Sequence, residues 1–165
     1  MISYIYCRSW FNAKKKALNI IDQKTAQYDH NARQMYTVLI SKDEIPKYVI
    51  IVKDTFVCVC VLDHLLRIYL EFHYEEVHTS RLFMRMAIRR SYEQNTDNVL
   101  DGRSYIYKTS GDLCIRQSAY NSPETKILHS HVDVSGYYAQ YPEFGQYMEL
   151  IERGLAHKFE ARDNR

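Results

Sequence analysis

Residues 66–75, LRIYLEFHYE, alternate without a break. Leu66, Ile68, Leu70, Phe72 and Tyr74 fall on one side, and Arg67, Tyr69, Glu71, His73 and Glu75 on the other. A period of two residues is that of a half-exposed strand in an antiparallel sheet. KYVIIVK at 47–53 and TFVCVCVL at 55–62 are rich in β-branched residues, with a tight turn predicted at Lys53-Asp54 and another at Asp63-His64. QMYTVLI at 34–40 fits a strand or a last helical turn, and SKDEIP at 41–46 reads as a loop ended by Pro46. SYIY at 104–107 and DLCIRQS at 112–118 form a hairpin around Thr109-Ser110-Gly111. KILHSHVDV at 126–134 is a further strand, with Leu128, Val132 and Val134 facing inward.

Three segments follow helical spacing instead. Over 11–28, Ala13, Ala17, Leu18, Ile21 and Thr25 mark one face, with Lys14, Lys15 and Lys16 on the wet side. A second helix is capped by Thr79 or Ser80, buries Leu82, Phe83, Met86 and Ala87, and ends near Tyr92. A third, short helix starts near Pro142, carries Phe144, Tyr147, Met148 and Ile151, and stops at Gly154; the tail FEARDNR reads as frayed. Strands joined by short turns are antiparallel. The expected fold is therefore α+β: a curved antiparallel sheet of about six strands, an N-terminal helix, one inserted helix and a short C-terminal helix. No linker or repeat divides residues 1–165, which read as a single domain.

Composition changes this picture little. The chain is 46% hydrophobic and 25% charged, ordinary for a globular protein. MISYIYCRSWFNAKKK does not have the form of a secretory leader, and the longest apolar run, 56–62, is too short to cross a bilayer; a soluble, cytoplasmic protein is expected. Cys7, Cys58, Cys60 and Cys114 contain no CxxC pair, so they read as reduced structural thiols. Cys58 and Cys60, two apart on a strand, should point the same way. A net charge of +2 is too small to point to nucleic acid. Tyrosine stands out at 15 residues, and tyrosine is favoured where proteins bind proteins.

Candidate chemistry is sparse. His129, His131 and Asp133 alternate along one strand face and would make a ligand set for zinc or iron, but polar-out, apolar-in alternation accounts for the same pattern. There is no nucleophile elbow and no glycine-rich phosphate loop, and Cys58 and Cys60 lie in an apolar run that disfavours a thiolate. Arg81, Arg85 and Arg89 recur every four residues and, on a helix, would line a cationic ridge beside Arg90. No enzyme and no cofactor are expected.

Two stretches carry a resemblance. DGRSYIYKTSGDLCIRQ at 101–117 is an acidic-glycine turn leading into a hairpin; VDVSGYYAQYPEFGQYMELI at 132–151 runs from a strand through an aromatic turn and Pro-x-Phe-Gly to a short helix. With the overall architecture, they resemble small bacterial immunity proteins of contact-dependent inhibition and related polymorphic toxin systems. The resemblance implies a cytoplasmic protein without catalytic residues that neutralises a cognate toxin C-terminal domain, a nuclease in the usual case, by plugging its active site or binding beside it. Many such antidotes are acidic; this chain is not, which leaves room for a toxin with an acidic surface, for local acidic patches such as Glu71, Glu75 and Glu76, or for an exosite. Expected partner-binding residues are Tyr137, Tyr138 and Tyr141, Arg81, Arg85 and Arg89, and Glu71, His73 and Glu75. The alternatives are a small regulatory, adaptor or phage-type inhibitor domain, and a metal-binding enzyme built on His129, His131 and Asp133.

Overall fold

The computed structural model describes residues 1–157 and 159; the remainder of the tail read as frayed lies outside the described residues. The fold is mostly β. Eleven strands form one antiparallel sheet, accompanied among the described residues by two short α-helices. The elements are β1 (Ile2–Phe11), β2 (Lys16–Ile21), α1 (Gln23–Asn31), β3 (Tyr36–Lys42), β4 (Ile45–Lys53) and β5 (Phe56–Leu62). There follow β6 (Ile68–His78), β7 (Arg81–Tyr92), β8 (Val99–Tyr107), β9 (Asp112–Ala119), β10 (Lys126–His131), β11 (Tyr138–Gln140) and α2 (Met148–Ala156). Across the sheet the order is β2-β1-β3-β4-β5-β6-β7-β8-β9-β10, and β11 adds to the start of β7, which β8 leaves unpaired. The sheet is not closed; β2 and β10 are its two edges.

This overturns the α+β reading with six strands and three helices. The segment 11–28 is the end of β1, a turn at Asn12–Lys14, β2 and the start of α1. Its lysines sit at a hairpin tip, where Lys15 adopts the left-handed conformation (φ 49°). The real helix begins later, at Asp22, whose carboxylate accepts from the Thr25 backbone N–H at 2.7 Å. The supposed inserted helix at 79–92 is β7. Leu82, Phe83 and Met84 are consecutive and fully buried, which a strand flanked on both sides and covered on both faces allows. Pairing with β6 and β8 outweighs the modest helix preference of leucine, methionine, alanine and arginine. The last helix starts at Met148 rather than near Pro142, and Gly154 lies inside it. The loop expected at 41–46 shrinks to Asp43 and Glu44, both with positive φ, as a two-residue hairpin turn requires.

The sheet has two buried faces. One carries Tyr36, Val38, Ile50, Val59, Phe72 and Tyr74 under α1 and α2. Polar links tie the helices down: His30 Nδ1 meets the Tyr36 hydroxyl at 2.9 Å, Tyr36 meets the Tyr147 hydroxyl at 3.0 Å, and Tyr74 donates to the Leu150 carbonyl at 3.1 Å. Arg8 on β1 reaches the buried Asp29 of α1 at 2.6 Å. The second face is smaller: Leu39, Val49, Cys58, Cys60, Leu62 and Ile68 pack with Trp10 and Leu66. The β1–β2 hairpin crosses towards this face. At its tip, Lys15 Nζ donates to the Leu65 carbonyl at 3.1 Å and pairs with Asp97 at 2.6 Å.

Candidate functional site

Among the described residues, the second face brings together thiol, carboxylate and imidazole groups. On β5, Cys58 and Cys60 point the same way, as their spacing predicts, and their sulfurs lie 3.7 Å apart. The β5–β6 register sets Cys58 opposite His73 and Cys60 opposite Glu71. Cys60 Sγ lies 3.9 Å from Glu71 Oε1, while Arg90 of β7 holds the other carboxylate oxygen, Oε2, at 2.7 Å. His73 packs edge-on against Phe56 with ring centroids 5.6 Å apart, and its Nε2 is buried with no hydrogen-bond partner. Cys58, Cys60 and Glu71 bring one ligand atom each within 4.8 Å of one another.

The electrostatics follow from this crowding. The hydrogen bond from Cys60 draws the Cys58 thiol down to about 6; burial opposes the shift and His73 assists it. The same thiol contact, then burial, push Cys60 up. Burial is the largest single effect on His73 and would lower it, but the hydrogen bond and charge of Cys58 together outweigh burial and raise it. The contact between the two thiols thus pulls them in opposite directions, Cys58 down and Cys60 up.

Beside the cluster, a cleft of about 390 Å³ opens where the hairpin tip meets the β5–β6 and β7–β8 turns. Glu71 and Arg90 line it together with Lys15, Arg67, Tyr92 and Asp97. Its charges are internally matched: Lys15 with Asp97, Arg67 with Asp63 at 2.7 Å, and Arg90 with Glu71.

The residues singled out from the sequence do not form one surface. On a strand, Arg81, Arg85 and Arg89 make no helical ridge. Arg81 lies over the Tyr138 ring at 4.2 Å, Arg85 pairs with Glu75 at 2.8 Å, and Arg89 donates to the Phe159 carbonyl at 3.0 Å. Tyr137 stacks on His157 at 4.1 Å, and Tyr138 packs on Phe83. Tyr141 lies under the Arg33 guanidinium at 3.9 Å with its hydroxyl buried and unpartnered. Glu71 and His73 belong to the thiol cluster. His129 and His131 share a face of β10, but Asp133 lies past the strand and accepts from the Ser135 N–H at 2.9 Å, and His131 stands 3.6 Å from Asp112. The structure does not gather His129, His131 and Asp133 into one donor set; among the described residues that distinction falls to Cys58, Cys60 and Glu71.

One further feature was not legible in the sequence. Every residue of β10 is exposed, including Leu128, which the alternation had placed inward; Ile127 is 54% and Leu128 56% exposed. These two point to opposite faces of the sheet, so the edge is uncovered on both sides. The chain contains no helix, among the described residues, long and apolar enough to cross a membrane. Comparison with family models, with curated proteins and with solved structures found no match to this chain.

Proposed function

We propose that this chain is a protein-binding protein that captures a partner along β10, and that the partner is a toxin domain which it neutralises. The observation that carries the binding reading is the β10 edge. An edge strand presents a row of unpaired N–H and C=O groups, and proteins blunt such edges with lysine, proline or bulges. The opposite edge, β2, begins at Lys16 and is kinked at Asn19, whose φ is 53°. Strand β10 has one lysine, at its very start, and no proline; Ile127 and Leu128 flank its outer edge. Such a strand is a template for strand addition, in which backbone hydrogen bonds give affinity and alternate side chains give specificity.

The antidote reading rests on the resemblance of 101–117 and 132–151 to immunity proteins. Those stretches lie in β8, β9 and the chain from β11 into α2. The matched charges of the cleft beside the thiol cluster favour an exosite binder over an acidic plug. The test is affinity purification of the tagged chain from its native host, beside a variant carrying Ile127→Lys and Leu128→Lys. A single toxin fragment that survives high salt with the parent and is lost with the variant is the expected result. Equal retention by the variant rejects β10 as the docking strand. Harmless deletion of the gene in a cell that still makes an active neighbouring toxin rejects the antidote role.

A further inference from the structure

We infer that Cys58, Cys60 and Glu71 form a zinc site, with His73 supplying the fourth ligand. Zinc bonded to two thiolates at about 2.3 Å in a tetrahedron holds the sulfurs about 3.8 Å apart. The Cys58 and Cys60 sulfurs are already 3.7 Å apart. Glu71 Oε1 stands 3.9 Å from Cys60, so it needs only a small advance to complete a third edge. The cross-strand partner of Cys58 is His73; its ring nitrogens lie outside the 4.8 Å group and must swing in to take the remaining position, and its Nε2 is buried without a partner. A buried imidazole nitrogen with nothing to bond is costly, and a metal ion removes that cost.

The surroundings fit the ion. Carboxylate ligands are usually held by an outer hydrogen bond, and Arg90 grips Glu71 Oε2 at 2.7 Å, leaving Oε1 turned towards the sulfurs. Charge also balances. Two thiolates and one carboxylate offset a divalent cation and the Arg90 guanidinium, with His73 neutral. Both sulfurs bind as thiolates and His73 as the neutral ring, so zinc displaces to solvent the protons that these groups still carry. Thiolate ligands select a soft or borderline ion over magnesium or calcium. The adjacent cleft, lined by Glu71 and Arg90, reaches the carboxylate side of the site. The site is independent of β10 and of the antidote reading.

Cobalt(II) titration of the full, reduced chain tests this, read by absorption spectroscopy. The expected result is one equivalent bound, with a thiolate-to-cobalt charge-transfer band and the ligand-field intensity of a tetrahedral centre, both bleached by one equivalent of zinc. Cys60→Ser should abolish the charge-transfer band or cut it by about half. Glu71→Gln should weaken binding by at least the 10–100-fold, roughly, that outer partners alone contribute. His129→Gln with His131→Gln should leave the spectrum unchanged. If the parent protein, with its thiols reduced and its far-ultraviolet dichroism native, shows no charge-transfer band, the proposal is wrong. It is equally wrong if the band persists in a Cys58→Ser, Cys60→Ser protein. Because the first readout uses the parent chain, the result does not depend on whether a variant folds.

Discussion

Replacing Gly154 with alanine tests how closely α2 is seated on the sheet. A Cβ built at Gly154 would stand 2.6 Å from Phe72 Cε2 and 2.8 Å from Cγ, and closer still to Cδ2. Carbon atoms in contact prefer about 3.5–4.0 Å. Helix or ring must therefore retreat by roughly an ångström. The ring has little freedom: Phe72 is fully buried, its strand is paired on both sides, at Val59 and Ala87, and it packs against Phe159. Overpacking of this kind costs about 1–3 kcal/mol, and so large an overlap belongs near the top of that range. Against it, alanine in a helix interior is better than glycine by about 1 kcal/mol. The net expectation is a loss of about 1–2 kcal/mol, or roughly 2–4 °C in Tm per kcal/mol for a chain of this size. Urea denaturation of Gly154→Ala measures it. Phe72→Leu provides the second arm of a double-mutant cycle, because removing the ring removes the collision. In that background Gly154→Ala should cost about 2–3 kcal/mol less than in the parent and so become mildly stabilising. A variant more stable than the parent, or costs that simply add, would refute the close seating of α2.

Two other expectations concern the same covered face. Tyr147→Phe deletes the hydroxyl that meets Tyr36 at 3.0 Å in a fully buried setting, and should cost about 1–2 kcal/mol by the same urea assay; a loss within error would mean the contact carries no net energy. The second expectation is a pH dependence. Burial, and then the Arg33 cation, hold His30 below its ordinary 6.5. The unfolded chain takes up that proton first, so this contribution is complete above about pH 6.5 and is lost as pH falls towards the lowered folded value. Burial lowers His157 as well, and it acts in the same sense. The raised His73 opposes both, since its contribution is complete below 6.5 and fades as pH rises through the folded value. The urea midpoint of the parent should fall between pH 7.5 and pH 5, and His30→Gln should flatten that fall. An unchanged slope in the variant would remove His30 as a cause.

The strands that a reader can find are those with one face more polar than the other. LRIYLEFHYE alternates because Glu71, His73 and Glu75 need a polar or open environment, while Leu70, Phe72 and Tyr74 do not. The β-branched runs of β4 and β5 are equally plain. What was hidden is β7. It sits in the middle of the sheet, so the alternation that would mark a strand is absent over Leu82, Phe83 and Met84. Its residues are also good helix formers, and spacing alone favoured the wrong period. The first ten residues were hidden for a related reason. Tyr4 and Tyr6 alternate with Ile5 and Cys7, so both faces of β1 are apolar and no period stands out. Asp22 was the available signal for α1: an aspartate three residues before Thr25 is an N-cap pattern, and it places the helix start well after the lysine run.

The thiol cluster shows where sequence reasoning stops and why. Alternation alone places Cys58 and Cys60 on one side of β5, and Glu71 and His73 on one side of β6. It cannot say that these sides coincide, because a slip of one residue would bring Leu70 and Phe72 to the thiols instead. The turn and a β-bulge just beyond it fix the register together. One oxygen of Asp63 accepts from the Leu65 and Arg67 backbone N–H groups, both at 2.9 Å, and the other takes the Arg67 Nε at 2.7 Å. That closes the β5–β6 connection with Leu62 facing Ile68; the bulge then shifts the pairing by one residue, so that Val61 faces Leu70, Cys60 faces Glu71 and Cys58 faces His73. Arg67 continues across to the next turn, donating to the carbonyls of Gln94 at 2.7 Å and Thr96 at 2.6 Å and lying over the Tyr92 ring at 4.6 Å. The same arginine therefore links the β5–β6 turn to the turn that follows β7, the strand from which Arg90 reaches Glu71. An exposed-looking Asp-His turn in the sequence, together with the bulge beside it, aligns the strands that bring two thiols, a carboxylate and an imidazole to one place.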